Sequence, residues 1–280
     1  MTIIVSVKIN DGIVMAADSA SSFGPVTLPD GKQLQQTYQH ANKIVNLRKD
    51  LPIGAMVTGS GNIGVESIDT LFKDLRRHFS HTQKYKLEPN SYTMQEIATK
   101  VREFLFEEKA KNDQSPTYMR LRICGYSAAA PLPENWEVFI NDKVCEPPKQ
   151  VQDQASHGIR WDGVYEPLNR LVLGVSAEVR EILLQKGADA TKLDAELNEI
   201  YGRLSAVLSL PAMPIQDAID LARFLVETTL GYVRFSTISS KSVGGPIEIA
   251  AITKHEGFKW IQRKHFYESK LNPTSPAREI

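Results

Sequence analysis

The 280-residue chain is poor in cysteine, carries no excess of either charge and has no apolar run long enough to cross a membrane. Cys124 and Cys145 lack the spacing of zinc or redox motifs, and we expect both to be buried and reduced, which suits the cytoplasm. Lys plus Arg and Asp plus Glu each number 33, and this balance argues against a nucleic acid or a membrane as partner. The six histidines are scattered, so we expect no metal and no cofactor.

The chain also lacks internal repeats, low-complexity tracts and, in residues 1–9, the basic segment that opens a signal peptide. Its length and its 42% of hydrophobic residues are ample for one large core. We expect a single domain over residues 1–265 and a polar tail over residues 266–280. The formal net charge of zero lowers the electrostatic barrier to self-association.

Among the residues that are there, the most informative is a threonine directly after the first methionine. Methionine aminopeptidases generally remove Met1 before a small residue, and removal would leave Thr2 with a free α-amine beside its own hydroxyl. An α-amine titrates at about 7.7–8.0, so it can act as a base near neutral pH. Pairing a threonine hydroxyl with the terminal amine is a known way to activate that nucleophile. Many proteins begin Met-Thr, so the dipeptide acquires meaning only from its neighbours in the chain.

A β-hairpin comes directly after Thr2, because Asn10-Asp11-Gly12 lies between two apolar runs and is typical of a tight turn. Folding it brings Thr2 alongside residues 19–21 and close to Asp18. The odd positions of the first strand are apolar, which puts Thr2 on the more polar face. A three-residue loop would put Asp18 on that face as well, whereas a two-residue loop at Asp11-Gly12 would reverse it.

The rest of the chain alternates strands and helices. Hydrophobic periodicity predicts strands over residues 2–9, 13–18, 43–48, 52–58, 118–128, 136–140, 171–173, 247–253 and 258–263. It predicts helices over residues 62–79, 93–111, 177–186, 191–208 and 214–232. Residues 24–41 and 142–168 are polar and rich in proline, and we expect long loops there.

These features resemble a known family. The segments 2–5 and 10–19 and the triplet Asn42-Lys43-Ile44 resemble proteasome β-type subunits, which are N-terminal nucleophile hydrolases. Similar motifs occur in the peptidase subunit of the bacterial two-component ATP-dependent protease. The resemblance is clear over about residues 2–80 and returns more weakly at 171–186 and 213–262. It implies an α+β fold, a four-layer αββα sandwich of two antiparallel sheets flanked by helices.

The resemblance also implies catalytic roles for three residues. Thr2 would be the nucleophile and, through its amine, the proton acceptor. Lys43 would place a positive charge beside the forming alkoxide and lower the pKa of the hydroxyl. Asp18, sixteen residues after Thr2, would hold Lys43 and balance its charge.

A second set of residues would bind the substrate. Ser19 and Ser22 match a loop whose backbone holds the substrate in extended form. Thr58 and Gly59 match a turn whose backbone N–H stabilises the oxyanion, a contact worth roughly 2.7–4 kcal/mol where it has been removed. Met56 matches a position that shapes the pocket for the residue before the cut, which suggests a preference for uncharged side chains.

The chain departs from the family at three places. Thr58 stands where the family often has glycine. The serine that supports the threonine amine aligns with Val175, and Ser176 is one place along. The aspartate that precedes a Ser-Gly-Gly turn is missing, because no acid lies between Glu227 and Glu248. The supporting residues of the site are therefore altered.

The resemblance favours an N-terminal threonine amidohydrolase, a peptidase acting on peptides or unfolded protein within a proteasome-like, homo-oligomeric ring. An ATP-dependent unfoldase would suit such a ring, although nothing in the sequence identifies one. A hydrolase of small non-peptide amides is an alternative, motivated by the missing aspartate and the long loops. A non-catalytic ring or scaffold subunit is another, because folds do not dictate function. An unrelated β-rich binding domain is the remaining one.

Overall fold

The computed structural model describes residues 2–22, 26–34, 36–237 and 242–264, and the predicted tail lies outside them. The strands, in chain order, are β1 Ile3–Ile9, β2 Gly12–Ala17, β3 Ser21–Ser22, β4 Val26–Thr27, β5 Gln33–Leu34, β6 Thr37–Tyr38, β7 Ile44–Asn46, β8 Ile53–Gly59, β9 Asn62–Ile63, β10 Glu66–Ser67, β11 Tyr118–Gly125, β12 Glu134–Asn141, β13 Val144–Cys145, β14 Lys149–Gln152, β15 Gly158–Gly163, β16 Glu248–Thr253 and β17 Gly257–Gln262. The helices are α1 Ile68–His81, α2 Met94–Arg102, α3 Glu166–Leu168, α4 Val179–Gln185, α5 Ala190–Leu204 and α6 Ile215–Phe235, with π-helical segments at Glu103–Ala110 and Asn169–Leu173.

Two antiparallel sheets contain most of these strands. The first sheet has the order β15-β1-β2-β16-β17. The second has the order β13-β12-β11-β8-β7, and β14 also pairs with β12. The fold is therefore a mixed α+β fold with antiparallel sheets, as expected.

The hairpin at the start of the chain closes with a loop that differs from both expected ones. Ile9 pairs with Gly12, so the loop is Asn10-Asp11 rather than Asp11-Gly12 or all three residues. Both predicted loops are wrong: neither Asn10 nor Asp11 has a positive φ, so this turn does not need the left-handed conformation that glycine favours, and Gly12 instead begins β2. The observed register, continued past the strand ends, puts Ser19 opposite Thr2.

Each sheet has an apolar core on a face that helices cover. Helix α6 packs on β1, β2 and β16, and residues such as Val5 and Val226 meet there. Helices α1 and α2 and the first π-helical segment contribute residues such as Phe72 and Leu105 to a core with the second sheet. Both helices and strands thus bury the apolar face that their periodicity predicts.

A third core lies between strands of the two sheets. It includes Ile4 and Met15 from the first sheet and Ile44 and Met56 from the second. The even positions of β1 face this side. The polar ones are buried rather than solvated: Ser6 accepts a hydrogen bond from Asn135 Nδ2, and the Lys8 ammonium donates to main-chain carbonyls of residues 154 and 156.

Helix α1 begins later than predicted. Ser67 caps it by accepting a hydrogen bond from Thr70 N, and its apolar stripe runs from Ile68 to Phe79. Residues 62–67 instead form the short β9–β10 pair. This start places the first turn of α1 beside the end of β8.

The predicted loop over residues 142–168 is wrong, because it contains β13, β14 and β15. Strand β15 pairs with β1 from Ile3, opposite Gly163, to Lys8, opposite Gly158. The predicted strand over residues 171–173 is also wrong, because those residues complete a π-helical segment. The described residues of the loop over 24–41 are mainly exposed; within it β4 pairs with β5, and β6 pairs with β3, which precedes the loop.

Both cysteines are buried and unpaired. Burial raises the pKa of the Cys124 thiol to about 12 and that of Cys145 to about 11. Within the described ranges, no helix combines the length and the apolarity needed to cross a membrane. Across those same ranges, no three His, Cys, Asp or Glu side chains gather as a metal site would require.

Candidate active site

Thr2 lies at a pocket of about 400 Å³ near the end of β8. Lys43, Thr58 and Gly59 line the same pocket, so four of the predicted site residues meet there. Thr2 itself is only 6% exposed. Most of Thr2 is therefore packed against the surrounding chain, and the remainder faces the pocket.

The carboxylate of Asp18 organises this region. Its Oδ1 accepts hydrogen bonds from Ile3 N at 3.0 Å and from Lys43 Nζ at 2.6 Å. Its Oδ2 accepts from Ala20 N at 3.1 Å and from Gly244 N at 3.0 Å. Four donors thus stabilise a carboxylate that has no exposed surface, and three of them are main-chain groups.

Asp18 reaches Lys43 because β2 ends one residue earlier, at Ala17. Within the strand, alternation would put the Asp18 side chain on the face opposite to that of Thr2. Beyond the strand end the backbone is free to turn, and the four hydrogen bonds fix the side chain instead. The contact expected from a three-residue hairpin loop is therefore made by a different route.

Lys43 is buried together with its partner. Burial lowers the pKa of the Lys43 ammonium below its ordinary value, and the ion pair and hydrogen bond with Asp18 oppose that shift. Strand β7 begins at the next residue, and Val57 N donates to the Lys43 carbonyl at 3.0 Å. The sheet thus holds the main chain of Lys43 while Asp18 holds its ammonium.

The main chain of Thr2 is fixed from the other side by the end of β15. Val164 N donates to the Thr2 carbonyl at 2.8 Å. Gly163 approaches so closely that an added Cβ would lie 1.7 Å from that carbonyl oxygen and 3.3 Å from Thr58 Oγ1. Its φ of +99° also favours glycine. No local pattern in the sequence indicates this approach, because β15 lies within a predicted loop.

The end of β8 carries the residues expected to bind the oxyanion. Gly59 has a φ of +105°, and a Cβ there would lie 2.1 Å from the carbonyl oxygen of Tyr118. A side chain at this position would therefore push β8 away from β11. Thr58 keeps its side chain near Gly163 and Thr2, while Ser60 and Gly61 complete the wall of the pocket.

Ser19 and Ser22 lie near the site in different settings. Ser19 is fully buried: its Oγ donates to the Pro246 carbonyl at 2.7 Å and accepts from Lys264 Nζ at 2.8 Å. The main chain of Ser19, rather than its side chain, was expected to hold the substrate; its N–H donates to the Gly244 carbonyl and its carbonyl accepts from Ala41 N. Ser22 shares a hydrogen bond with Thr37 Oγ1 and lines a second pocket that adjoins the first at Thr2. Ser21, which the hairpin was expected to bring near Thr2 without a role of its own, lines both pockets.

Met56 does not shape the pocket, and this prediction is wrong. It is buried in the core between the sheets, on the face of β8 that meets Ile4 and Met15. Val57, the next residue, lines the pocket together with Ile68. Side chains alternate along a strand, so a shift of one residue exchanges the two faces.

Ser176 is not among the residues that line the pocket at Thr2. Its hydroxyl accepts a hydrogen bond from Glu178 N at 3.1 Å, just before α4. It also bonds to Glu166, and this contact helps to lower the pKa of that carboxyl. Its contacts therefore belong to the start of α4 rather than to the predicted support of the threonine amine.

Charged residues that the sequence analysis missed lie on the far wall of the pocket. Asp69 and Lys73 from α1 line it and form an ion pair of 2.6 Å, and Asp69 also accepts from Asn42 Nδ2 at 3.0 Å. His40 lies on the same wall. The spacing of four residues on one helix was visible in the sequence, but the approach of that helix face to Thr2 was not.

The turn at residues 242–245 contacts the site through its main chain. Besides the bond from Gly244 N to Asp18, the Gly244 carbonyl accepts from Ser19 N at 2.9 Å. The family's missing aspartate therefore leaves a turn that is still attached to the site. A second buried ion pair, Glu248 with Lys264 at 3.0 Å, lies directly beyond it.

Comparisons with known proteins add a distant structural likeness. The structure is similar to that of Anbu (ancestral beta-subunit) from Yersinia bercovieri, with 14% sequence identity, a TM-score of 0.48, and 94% of this chain and 88% of that chain covered. No protein-family model matches the chain, and no curated protein matches it. This likeness is too distant to assign a family, so the functional argument rests on the residues themselves.

Proposed function

We propose that the chain is an N-terminal threonine amidohydrolase, most simply a peptidase, with Thr2 as nucleophile after removal of Met1. The observation that carries the proposal is the contact between Asp18 and Lys43 at the pocket that Thr2 lines. A buried lysine held by a buried carboxylate beside a threonine is the arrangement that would activate its hydroxyl.

In the proposed reaction the Thr2 hydroxyl attacks the carbonyl carbon of an amide, and its proton passes to the α-amine. The positive charge on Lys43 stabilises the developing alkoxide. The backbone N–H of Gly59, at the end of β8, stabilises the oxyanion of the tetrahedral intermediate. The amine then protonates the leaving nitrogen, which leaves an ester on Thr2. Water hydrolyses the ester after giving a proton to the same amine.

We propose the four-layer αββα order for the fold, and the three separate cores support it. One core joins α6 to the first sheet, one lies between the sheets, and one joins α1 and α2 to the second sheet. A cytoplasmic homo-oligomeric ring, with peptides or unfolded protein as substrates, follows from the resemblance to proteasome β-type subunits. An ATP-dependent unfoldase would be the natural partner of such a ring.

The test is the intact mass of the purified protein before and after treatment with a peptide epoxyketone. This reagent requires both the hydroxyl and the free amine of an N-terminal threonine. We expect loss of Met1 and one covalent adduct, and we expect the Thr2→Ala variant to form none while unfolding at the wild-type urea concentration. Thr2 lies before the first strand, so removal of its hydroxyl leaves both sheets intact.

Other outcomes would replace the proposal. Retained Met1 without an adduct would identify a non-catalytic ring or scaffold subunit. Loss of Met1 without an adduct would point to hydrolysis of small non-peptide amides in an altered cleft. Asp69 and Lys73 on the wall of the pocket give that reading a concrete basis, because they could bind a small charged substrate.

A further inference from the structure

Glu248 is a buried carboxylate with no role in the proposed reaction. It begins β16 opposite Ala17 and is 1% exposed. Among the residues that the structure describes, neither of its carboxylate oxygens has a hydrogen-bond partner of good geometry, and it forms an ion pair with Lys264 at 3.0 Å. Burying such a group is costly unless a charge nearby compensates it.

Lys264 connects this carboxylate to both segments that flank Thr2. Its Nζ donates to Ser19 Oγ at 2.8 Å and to the Ala41 carbonyl at 2.7 Å. Ser19 follows Asp18 and lies opposite Thr2, while Ala41 lines the pocket two residues before Lys43. One ammonium group therefore joins the segment that carries Asp18 to the segment that carries Lys43.

The two ion pairs are close enough to interact. The pKa of Lys43 is lowered mainly by burial; Asp18 opposes that shift, Lys264 adds to it and Glu248 opposes it. The pKa of Lys264 is lowered mainly by burial; Glu248 and Asp18 oppose that shift, and Arg263 adds to it. Asp18, Lys43, Glu248 and Lys264 thus form a buried cluster whose charges sum to zero.

We propose that Glu248 and Lys264 are positioning residues of the Thr2 site: Glu248 favours the charged form of Lys43 and compensates Lys264, whose ammonium holds the segments at Ser19 and Ala41 together. The inference rests on the proposed function, because Lys43 is given its role there. Lys264 influences the charge of Lys43 and binds the segments at Ser19 and Ala41, and it makes no contact with the substrate in this proposal. It takes part of the supporting role that the missing aspartate would have had.

The test compares Glu248→Gln, Lys264→Met and the double variant. The rate of epoxyketone adduct formation is measured by intact mass from pH 6 to 10 or higher. Activity needs a protonated Lys43, so the rate should fall at alkaline pH as Lys43 loses its proton. Removal of Glu248 leaves an uncompensated cation, which lowers the pKa of Lys43 and moves this fall to lower pH. Removal of Lys264 moves it to higher pH.

Each single variant should move the midpoint of the alkaline fall by about one pH unit, in opposite directions. The double variant restores the balance of charge, so its midpoint should return close to that of the wild type. Its rate should stay lower than the wild-type rate, because the bonds to Ser19 and Ala41 are lost. The surface pair Lys84 and Glu108, substituted in the same way, should leave the midpoint unchanged.

The inference would be overturned if the pH midpoint of the alkaline fall is unchanged in both single variants, or if it moves in the same direction in both. An absence of adduct in the wild type is a different result, because it refutes the proposed function and the inference with it. Urea denaturation gives a second measurement. The double variant should unfold at a higher urea concentration than either single variant, and a double variant that is less stable than both would also overturn the inference.

Discussion

Asp18→Asn is the substitution that tests the site most severely. Oδ1 of Asp18 accepts hydrogen bonds from Ile3 N and Lys43 Nζ, and Oδ2 accepts from Ala20 N and Gly244 N. An asparagine must place its NH₂ group on one of these two sides. In either orientation a donor group faces two other donors, so at least two hydrogen bonds are lost.

The magnitude follows from the burial of these groups. A buried donor left without a partner costs about 1–3 kcal/mol. Removing one member of a buried ion pair costs about 3–5 kcal/mol when the other charge has no alternative partner. The two terms overlap at Lys43, which can also release its proton because burial already lowers its pKa. We therefore expect Asp18→Asn to lower the free energy of unfolding by about 3 kcal/mol.

The loss expected for Asp18→Asn is compared with the losses in two other variants, each measured by urea denaturation. All measurements use the same subunit concentration, because association between subunits would raise the apparent stability. Asp69→Asn breaks a surface ion pair with Lys73 and should cost about 0–1 kcal/mol. Lys43→Met leaves Asp18 with three main-chain donors, so its loss of unfolding free energy should lie between those of Asp69→Asn and Asp18→Asn. This variant should also form no adduct. If Asp18→Asn costs no more than Asp69→Asn, the four hydrogen bonds do not stabilise the protein as argued.

Two further predictions concern the shape of the site. Gly163→Ala places a Cβ against the Thr2 carbonyl, so it should lower the free energy of unfolding by at least about 2 kcal/mol and slow adduct formation. The control is Gly202→Ala within α5, where a Cβ meets no atom within 4 Å, and it should raise the free energy of unfolding by up to about 1 kcal/mol. Equal urea midpoints for the two variants would contradict the close approach. Val57→Ala should change the order in which the enzyme prefers peptide substrates with large or small side chains before the cleaved bond, because Val57 lines the pocket. Met56→Ala should keep that order and lower the free energy of unfolding by about 2–5 kcal/mol, because Met56 lies in the core between the sheets. A ranking that changes with Met56 alone would restore the rejected prediction.

The sequence predicted the residues that gather at the site better than it predicted their surroundings. Thr2, Asp18 and Lys43 lie close to the hairpin or directly before a strand, so local patterns and the resemblance sufficed to find them. The assignment of Met56 failed for a physical reason. Met56 and Val57 are both apolar and both buried, because β8 has a core on each face, and no pattern of polarity distinguishes the faces.

Contacts between distant parts of the chain were beyond local patterns. Strand β15 pairs with β1 across more than a hundred residues, and its alternation of apolar and polar side chains covers only the four residues 159–162 between two glycines. Gly163 at its end therefore showed no sign of its contact with Thr2. The pairing of Glu248 with Lys264 was hidden in the same way, since a buried charge looks like a surface charge until its partner is known.

The contacts of the turn at residues 242–245 change how the missing aspartate before it should be interpreted. By itself, its absence suggests a loosened support for the nucleophile. In the structure, however, Gly244 bonds to Asp18 and to Ser19 through its main chain, which needs no acidic side chain in the turn. Lys264 bonds to Ser19 from the other side. Support that rests on main-chain groups is invisible to a comparison of side chains, so this departure from the family does not argue against a working threonine nucleophile.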